Sequence, residues 1–317
     1  MNKRVAYVFP GQGSQSIRML DAWSGEPTVR NTVAEASDAL GLDLWKLIEC
    51  GSAETLNSTD NTQPALVAVS VALFRAWQER VPMSPVAAAG HSVGEYSALV
   101  ASGAMTLADA IRVVRFRGQA MAKAVPPGSG GMAAVLGLGD EAVEQLCIDC
   151  AGDDLLQPAN YNAPGQVVVA GHLAAIERIK SKAKEAGAKM VFVLPVSGPF
   201  HSALMQSAAD SLGARLQSLS VEQPAFDVLQ NSDMRVAHQW FIKEALVAQL
   251  TRPVRWVETI RRFEQVGITH LVEIGPGEVL TNLTKRIAPA IQCMPINSPV
   301  LLESAVEAVE KSQPIAA

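Results

Sequence analysis

The apolar positions of this chain fall into short unbroken runs separated by amphipathic stretches. Residues 4–9 (RVAYVF) form a buried-strand pattern that ends in a glycine-rich turn, PGQGSQ. Helical spacing follows around 28–40 and 43–50. Asn61-Thr62-Gln63-Pro64 is a helix-start signal, a capping residue and an early proline opening the apolar segment 64–80. Pro82 and Pro85 break the chain before a strand at 86–89. That strand runs straight into GHSVGEYSALVASGA, which reads as a turn and then a helix. Strand–turn–helix alternation of this kind predicts a parallel α/β layer.

The pattern changes at Pro126-Pro127-Gly128-Ser129-Gly130-Gly131, the clearest boundary signal in the chain. After it come a strand (MAAVLGL), a helix at 140–150, two strands about a turn (QPANYNAPGQVVVAG), a charged helix at 173–187 and a strand (KMVFVLPV). This order is the split β-α-β pattern of a ferredoxin-like unit. The expected organisation is an α/β-hydrolase-like large subdomain with a parallel sheet, made of residues 1–127 and 198–317. A ferredoxin-like small subdomain is inserted over 128–197. THLVEIGPG is a further strand ending in a glycine turn, and the tail after about Glu310 is expected to be loose.

Composition narrows the function classes. The chain has 317 residues, 49% of them hydrophobic and 18% charged, which is ample for a buried core. Its net charge of −5 argues against a nucleic-acid-binding protein. Lysines cluster at 180, 182, 184 and 189, and arginines at 252, 255, 261 and 262. Each group reads as a solvated helix face or as a docking patch for an acidic partner. The longest apolar run, about 64–74, is half the ~18–20 residues that span a bilayer, so a soluble, cytoplasmic protein is expected. Four cysteines make no disulfide framework. Cys147 and Cys150 form a C-x-x-C, but on a predicted helix they merely share a face, and no metal site is expected.

The chemistry centres on Gly90-His91-Ser92-Val93-Gly94, which fits the G-x-S-x-G nucleophile elbow. An apolar strand precedes it and a helical pattern follows, as that turn requires. The serine hydroxyl would sit at a helix N-terminus, where free N–H groups stabilise an oxyanion. It also needs a base. Of the five histidines, His91 adjoins the serine, His172 lies in the insert, His238 in a polar stretch and His270 before a strand. His201 sits in a constrained loop, SGPFH, where the main layer resumes. Spacing alone leaves this choice open. No Asp stands out as a third triad member, so a backbone carbonyl is an alternative orienting group.

These motifs have a family likeness. VFPGQGSQ at 8–15, TQPAL at 62–66, GHSVGEYSALV at 90–100, Arg117-Gly118 and NYNAPGQVVVAG at 160–171 resemble the malonyl-CoA:acyl carrier protein transacylases of fatty acid synthesis. FHSALM at 200–205, QLTRPVRW at 249–256 and EIGPGEVLTNLTKRI at 273–287 extend the likeness over roughly residues 4–290. It implies that Ser92 is acylated and His201 is its base. It implies that the backbone N–H groups of Gln12 and Val93 form an oxyanion hole, and that the carbonyl of Gln249 orients the histidine. It also implies that Arg117 pairs with the free carboxylate of malonate, a task suited to a planar, bidentate guanidinium. Phe200 resembles the residue of malonyl-selective members and would crowd an α-methyl group. The implied partners are malonyl-CoA and holo-acyl carrier protein, with phosphopantetheine carried by the latter, no cofactor of the enzyme's own, and a monomeric state.

Two stretches depart from the family pattern, SIRML at 16–20 and NSDMRVAHQW at 231–240. Rival readings are a serine hydrolase or thioesterase, which has no need of Arg117, and an acyltransferase of a polyketide or malonate decarboxylase system. A non-catalytic carrier-protein scaffold has no use for Ser92, His201 and Arg117 together.

Overall fold

The computed structural model describes residues 3–310, so the tail expected to be loose lies outside the described residues. Among these residues nine strands form two sheets. They are β1 (Val5–Phe9), β2 (Ala87–Gly90), β3 (Gly130–Leu136), β4 (Leu156–Ala163), β5 (Gln166–His172), β6 (Met190–Val193), β7 (Asp227–Leu229), β8 (His270–Glu273) and β9 (Gln292–Pro295). One sheet has the order β7-β2-β1-β8-β9 and is parallel throughout. The other, β4-β5-β3-β6, is antiparallel. The expected fold class, a parallel α/β layer carrying a ferredoxin-like sheet, is the one observed.

The apolar run of β1 follows from burial on both faces. Val5, Tyr7 and Phe9 enter the larger core, with Trp77 and Leu66 of the helix Thr59–Arg80. Ala6 and Val8 enter a second core on the opposite face, with Trp256 and Phe263. From β1 the sheet grows in both directions, and the turns after β1 and β2 open side by side where the order reverses. The parallel register Phe9↔Gly90 brings PGQGSQ and GHSVG together. That pairing places Gln12 beside Ser92.

The antiparallel sheet is likewise two-sided. Met132 and Ala134 of β3 face the main core, while Ala133 and Val135 pack against the helices Asp140–Ala151 and Leu173–Glu185. Cys147 and Cys150 are free thiols buried in that second layer. The antiparallel sheet is stitched to the segment that follows the helix Ile242–Ala248: Val254 N–H donates to Ala159 O at 2.9 Å and Tyr161 N–H to Val254 O at 2.9 Å. Arg286 adds a bond from Nη2 to Pro164 O at 2.9 Å.

One expected boundary is corrected. The long helix starts at Thr59, and Pro64 lies inside it. Proline removes the N–H that would bond to Asp60 O, but Arg115 Nη1 donates to that carbonyl at 2.8 Å, so the helix continues through the ring. No described helix is long and apolar enough to cross a membrane.

Candidate active site

The turn at Ser92 is fixed by how closely three pieces of backbone approach one another. A Cβ on Gly90 would lie 1.9 Å from the carbonyl carbon of Gly94, and one on Gly94 would lie 2.2 Å from Phe9 O. Any larger residue would push the helix Gly94–Ala101 off the strands. Ser92 itself takes φ 52°, a left-handed conformation that costs a non-glycine residue of the order of 1–2 kcal/mol. Asn231 holds the turn in place. Its Oδ1 accepts from Ser92 N–H at 2.7 Å and its Nδ2 donates to Gly90 O at 2.6 Å.

His201, on the loop before the short turn Ala203–Met205, also has a left-handed backbone, φ 58°. Its Nε2 is 2.7 Å from Ser92 Oγ and its Nδ1 is 2.8 Å from Gln249 O. A carbonyl can only accept, so Nδ1 carries the proton and Nε2 is left as the acceptor for the serine hydroxyl. Burial drives the imidazole pKa down to about 3, with the Arg117 cation adding to the fall and the Gln249 carbonyl opposing it. The ring is therefore neutral at physiological pH. The other histidines point elsewhere: His91 Nε2 pairs with Asn162 Oδ1 at 2.8 Å, and His172 lies against Asp154. His238 lies near Trp240 with the two rings tilted, and His270 is on β8.

Arg117 is 1% exposed and extends from the helix Leu107–Lys123 towards Ser92. Gly118 allows this, since a Cβ there would meet Asp60 Cα at 2.7 Å and hold the two long helices apart. Nη1 donates to Gln63 Oε1 at 2.9 Å. Nη2 donates to Gln249 Oε1 at 2.8 Å and to Ser92 Oγ at 3.2 Å. Its Nε has no protein partner among the described residues. Burial lowers the guanidinium pKa, with Tyr96 and Glu95 opposing. The serine hydroxyl is thus bracketed by an acceptor on one side and a cationic donor on the other.

These groups open into one cavity of about 90 Å³, lined among others by Gln12, Val93, Met132 and Phe200. Among the described residues neither the Gln12 nor the Val93 N–H has a protein acceptor. All seven residues singled out by sequence therefore meet at one place. Three further residues were not foreseen: Gln63, Glu95 and Asn231. All three lie in stretches noted in the sequence, TQPAL, GHSVGEYSALV and NSDMRVAHQW, but nothing there marks them as site residues, and Glu95 reads equally well as a surface charge. The lysines at 180, 182 and 184 are exposed on the helix Leu173–Glu185. Among the described residues no group of three or more His, Cys, Asp or Glu is placed to hold a metal ion. The two departures from the family pattern contain Arg18 (φ 65°) and Met234 (φ 62°), which with Ser92 and His201 are the left-handed non-glycine residues of the described chain.

A family model for the acyl transferase domain matches residues 6–295. The chain belongs to that family. This acyltransferase is 47% identical over 304 residues to the malonyl CoA-acyl carrier protein transacylase of Escherichia coli strain K12, covering 95% of this chain and 98% of the relative. The acyl-carrier-protein S-malonyltransferase of Burkholderia pseudomallei 1710b superimposes with a TM-score of 0.94 at 47% identity, over 97% of this chain and 100% of that one. A malonyl-transacylase solved in complex with its type II polyketide acyl-carrier protein gives a TM-score of 0.95 at 46% identity, over 96% and 100% of the two chains.

Proposed function

We propose that this acyltransferase moves the malonyl group from malonyl-CoA to the phosphopantetheine thiol of holo-acyl carrier protein, by way of a malonyl-serine ester, in fatty acid biosynthesis. The observation that carries the reading is the placement of a buried arginine within hydrogen-bonding distance of a serine that already has a neutral histidine acceptor. A plain hydrolase needs the serine and the histidine but has no use for a desolvated cation beside them.

In the first half-reaction His201 Nε2 takes the Ser92 proton as Oγ attacks the thioester carbonyl. The negative charge that develops on the carbonyl oxygen is received by the N–H groups of Gln12 and Val93. His201 then protonates the departing CoA sulfur, and Gln249 O stabilises the transient imidazolium through Nδ1–H. Arg117 gives up its contact with Ser92 Oγ and holds the malonyl carboxylate, so the ester is fixed at both ends. In the second half-reaction the carrier thiol attacks the ester, with His201 again relaying the proton. Phe200, buried against the cavity, disfavours an α-methyl substituent. Discrimination against one methyl group in such a pocket amounts to about 1–3 kcal/mol.

The same reading treats residues 1–127 and 198–317 as the catalytic subdomain and 128–197 as a small subdomain walling the cleft against water. It takes the enzyme to be a cytoplasmic monomer without a cofactor of its own. The test is to mix the protein with malonyl-CoA, locate the adduct by mass spectrometry, and then add holo-acyl carrier protein. Malonyl on Ser92 that passes to the carrier is the expected result. No label on Ser92, or label lost only to water, overturns the reading. The likeness to a transacylase solved with a polyketide carrier supports a second assignment of pathway, which relative transfer rates to fatty-acid and polyketide carriers decide.

A further inference from the structure

Glu95 is a carboxyl that the chemistry above does not use. It is 1% exposed, one helical turn from Ser92, and both of its donors sit on one oxygen. Oε2 accepts from Gln249 Nε2 at 2.7 Å and from Asn231 N–H at 3.0 Å, while Oε1 has no partner among the described residues. The Gln249 amide extends beyond Glu95: its Oε1 accepts from Arg117 Nη2 at 2.8 Å. A guanidinium can only donate, which fixes the amide orientation and leaves its NH2 pointing at the carboxylate. Glu95 and Arg117 thus form a buried ion pair bridged by one neutral amide.

Three charged or titratable groups face Glu95. They are Arg117 from the helix Leu107–Lys123, Tyr96 on its own helix and Asp233 from the segment after β7. Arg117 is the one cation among them. A malonyl carboxylate placed on Arg117 would be a second buried anion sharing that cation, in a site where water cannot screen either charge. The free Oε1 can receive a proton without disturbing either hydrogen bond on Oε2.

We infer that Glu95 is a positioning residue whose protonation is coupled to malonylation: the malonyl carboxylate replaces Glu95 as the counter-ion of Arg117, and Glu95 takes a proton from solvent on Oε1. This inference rests on the proposed malonyl transfer. Burial already holds the Glu95 carboxyl at about 7, against the pull of its two donors and of Arg117, so a further anion nearby moves it through the neutral range. The acylation step itself is proton-neutral. The Oγ–C bond forms, the C–S bond breaks, and the serine proton passes through His201 to the CoA thiol. Any net uptake that depends on the acyl carboxylate therefore belongs to the protein.

The experiment is stopped-flow acylation of the full-length enzyme in weak buffer with a pH indicator near pH 7.5, with acyl occupancy measured in parallel by mass spectrometry. Wild type should take up roughly half a proton per malonylated site, and none with acetyl-CoA, whose ionising CoA thiol is the same. In E95Q the amide oxygen still accepts from Gln249 and Asn231, and the malonyl-dependent uptake should vanish. In wild type the ratio of kcat/KM for malonyl-CoA to that for acetyl-CoA should rise about threefold or more from pH 8.5 to 6, and this slope should flatten in E95Q. Should E95Q not fold, the comparison of the two donors on wild type decides alone. Equal uptake with both donors, or uptake that persists in E95Q, overturns the inference while leaving malonyl transfer standing. Absence of malonylation in wild type overturns both.

Discussion

Ser92 and His201 meet at 2.7 Å, and both hold left-handed backbone to do so. Neither conformation is one that serine or histidine adopts for its own sake. The close packing at Gly90 and Gly94 surrounds the first, and at the second the ring is fixed by its Nδ1–H on Gln249 O. Local stability is therefore lost at two adjoining positions where catalytic geometry is gained.

His201→Asn removes the base while keeping a residue that tolerates left-handed backbone. Transfer should fall at least 10³-fold in single-turnover assays. The fold should also become less sensitive to acid. A histidine whose folded pKa is about 3 binds fewer protons than its unfolded form, so it destabilises the native state progressively as pH falls from about 6.5 to 3. Urea midpoints of the variant should fall less than those of wild type between pH 7 and 5. Parallel decline in the two proteins would mean that His201 is solvated.

The rate itself carries a related expectation. Because His201 stays neutral well below the ordinary histidine range, malonyl kcat/KM should not decline with a midpoint near 6.5 on acidification. A profile that loses activity through that midpoint would contradict the buried, neutral imidazole.

Arg117→Ala removes the charged donor for the malonyl carboxylate. Charge-assisted hydrogen bonds contribute about 1.5–3 kcal/mol, so malonyl transfer should drop by roughly one to two orders of magnitude while acetyl transfer persists or improves. Steady-state assays with the two thioesters read this directly. Equal losses for both acyl groups would remove Arg117 from carboxylate recognition.

Asn231→Ala leaves Ser92 N–H and Gly90 O without partners inside the protein. Buried groups left unpaired cost about 1–3 kcal/mol each. The variant should show a lower urea midpoint together with slower acylation of Ser92. A variant as stable and as fast as wild type would show that the glycines alone hold the elbow.

Phe200→Ser should relax selectivity. The ratio of methylmalonyl to malonyl transfer should rise by one to two orders of magnitude, which corresponds to about 1–3 kcal/mol for one methyl group. An unchanged ratio would place the discrimination in other residues of the cavity wall.

Sequence reasoning succeeded where structure is local or periodic. The unbroken run of β1, the breaks at Pro82, Pro85 and Pro126, and the strand order of the insert could all be read from neighbouring residues. It also located Ser92, because an elbow has a local signature. It faltered where the partner is distant. Arg115, 55 residues from Asp60, lets Pro64 sit inside a helix. Asn231 reaches Ser92 across 139 positions, from a segment that only looked irregular. Glu95 resembles any helix-surface carboxylate until its burial is seen. Spacing alone left His201 as one of five candidates, and the geometry separates them because only its ring meets Ser92 Oγ.

The stitch between Ala159, Tyr161 and Val254 bears on how the cleft can move. Val254 follows five residues after Gln249, the anchor of the catalytic ring. An insert that swung outward like a hinged door would drag on that anchor and unseat the histidine. The position of the insert and the seating of the catalytic ring are thus coupled through five residues of continuous backbone between Gln249 and Val254.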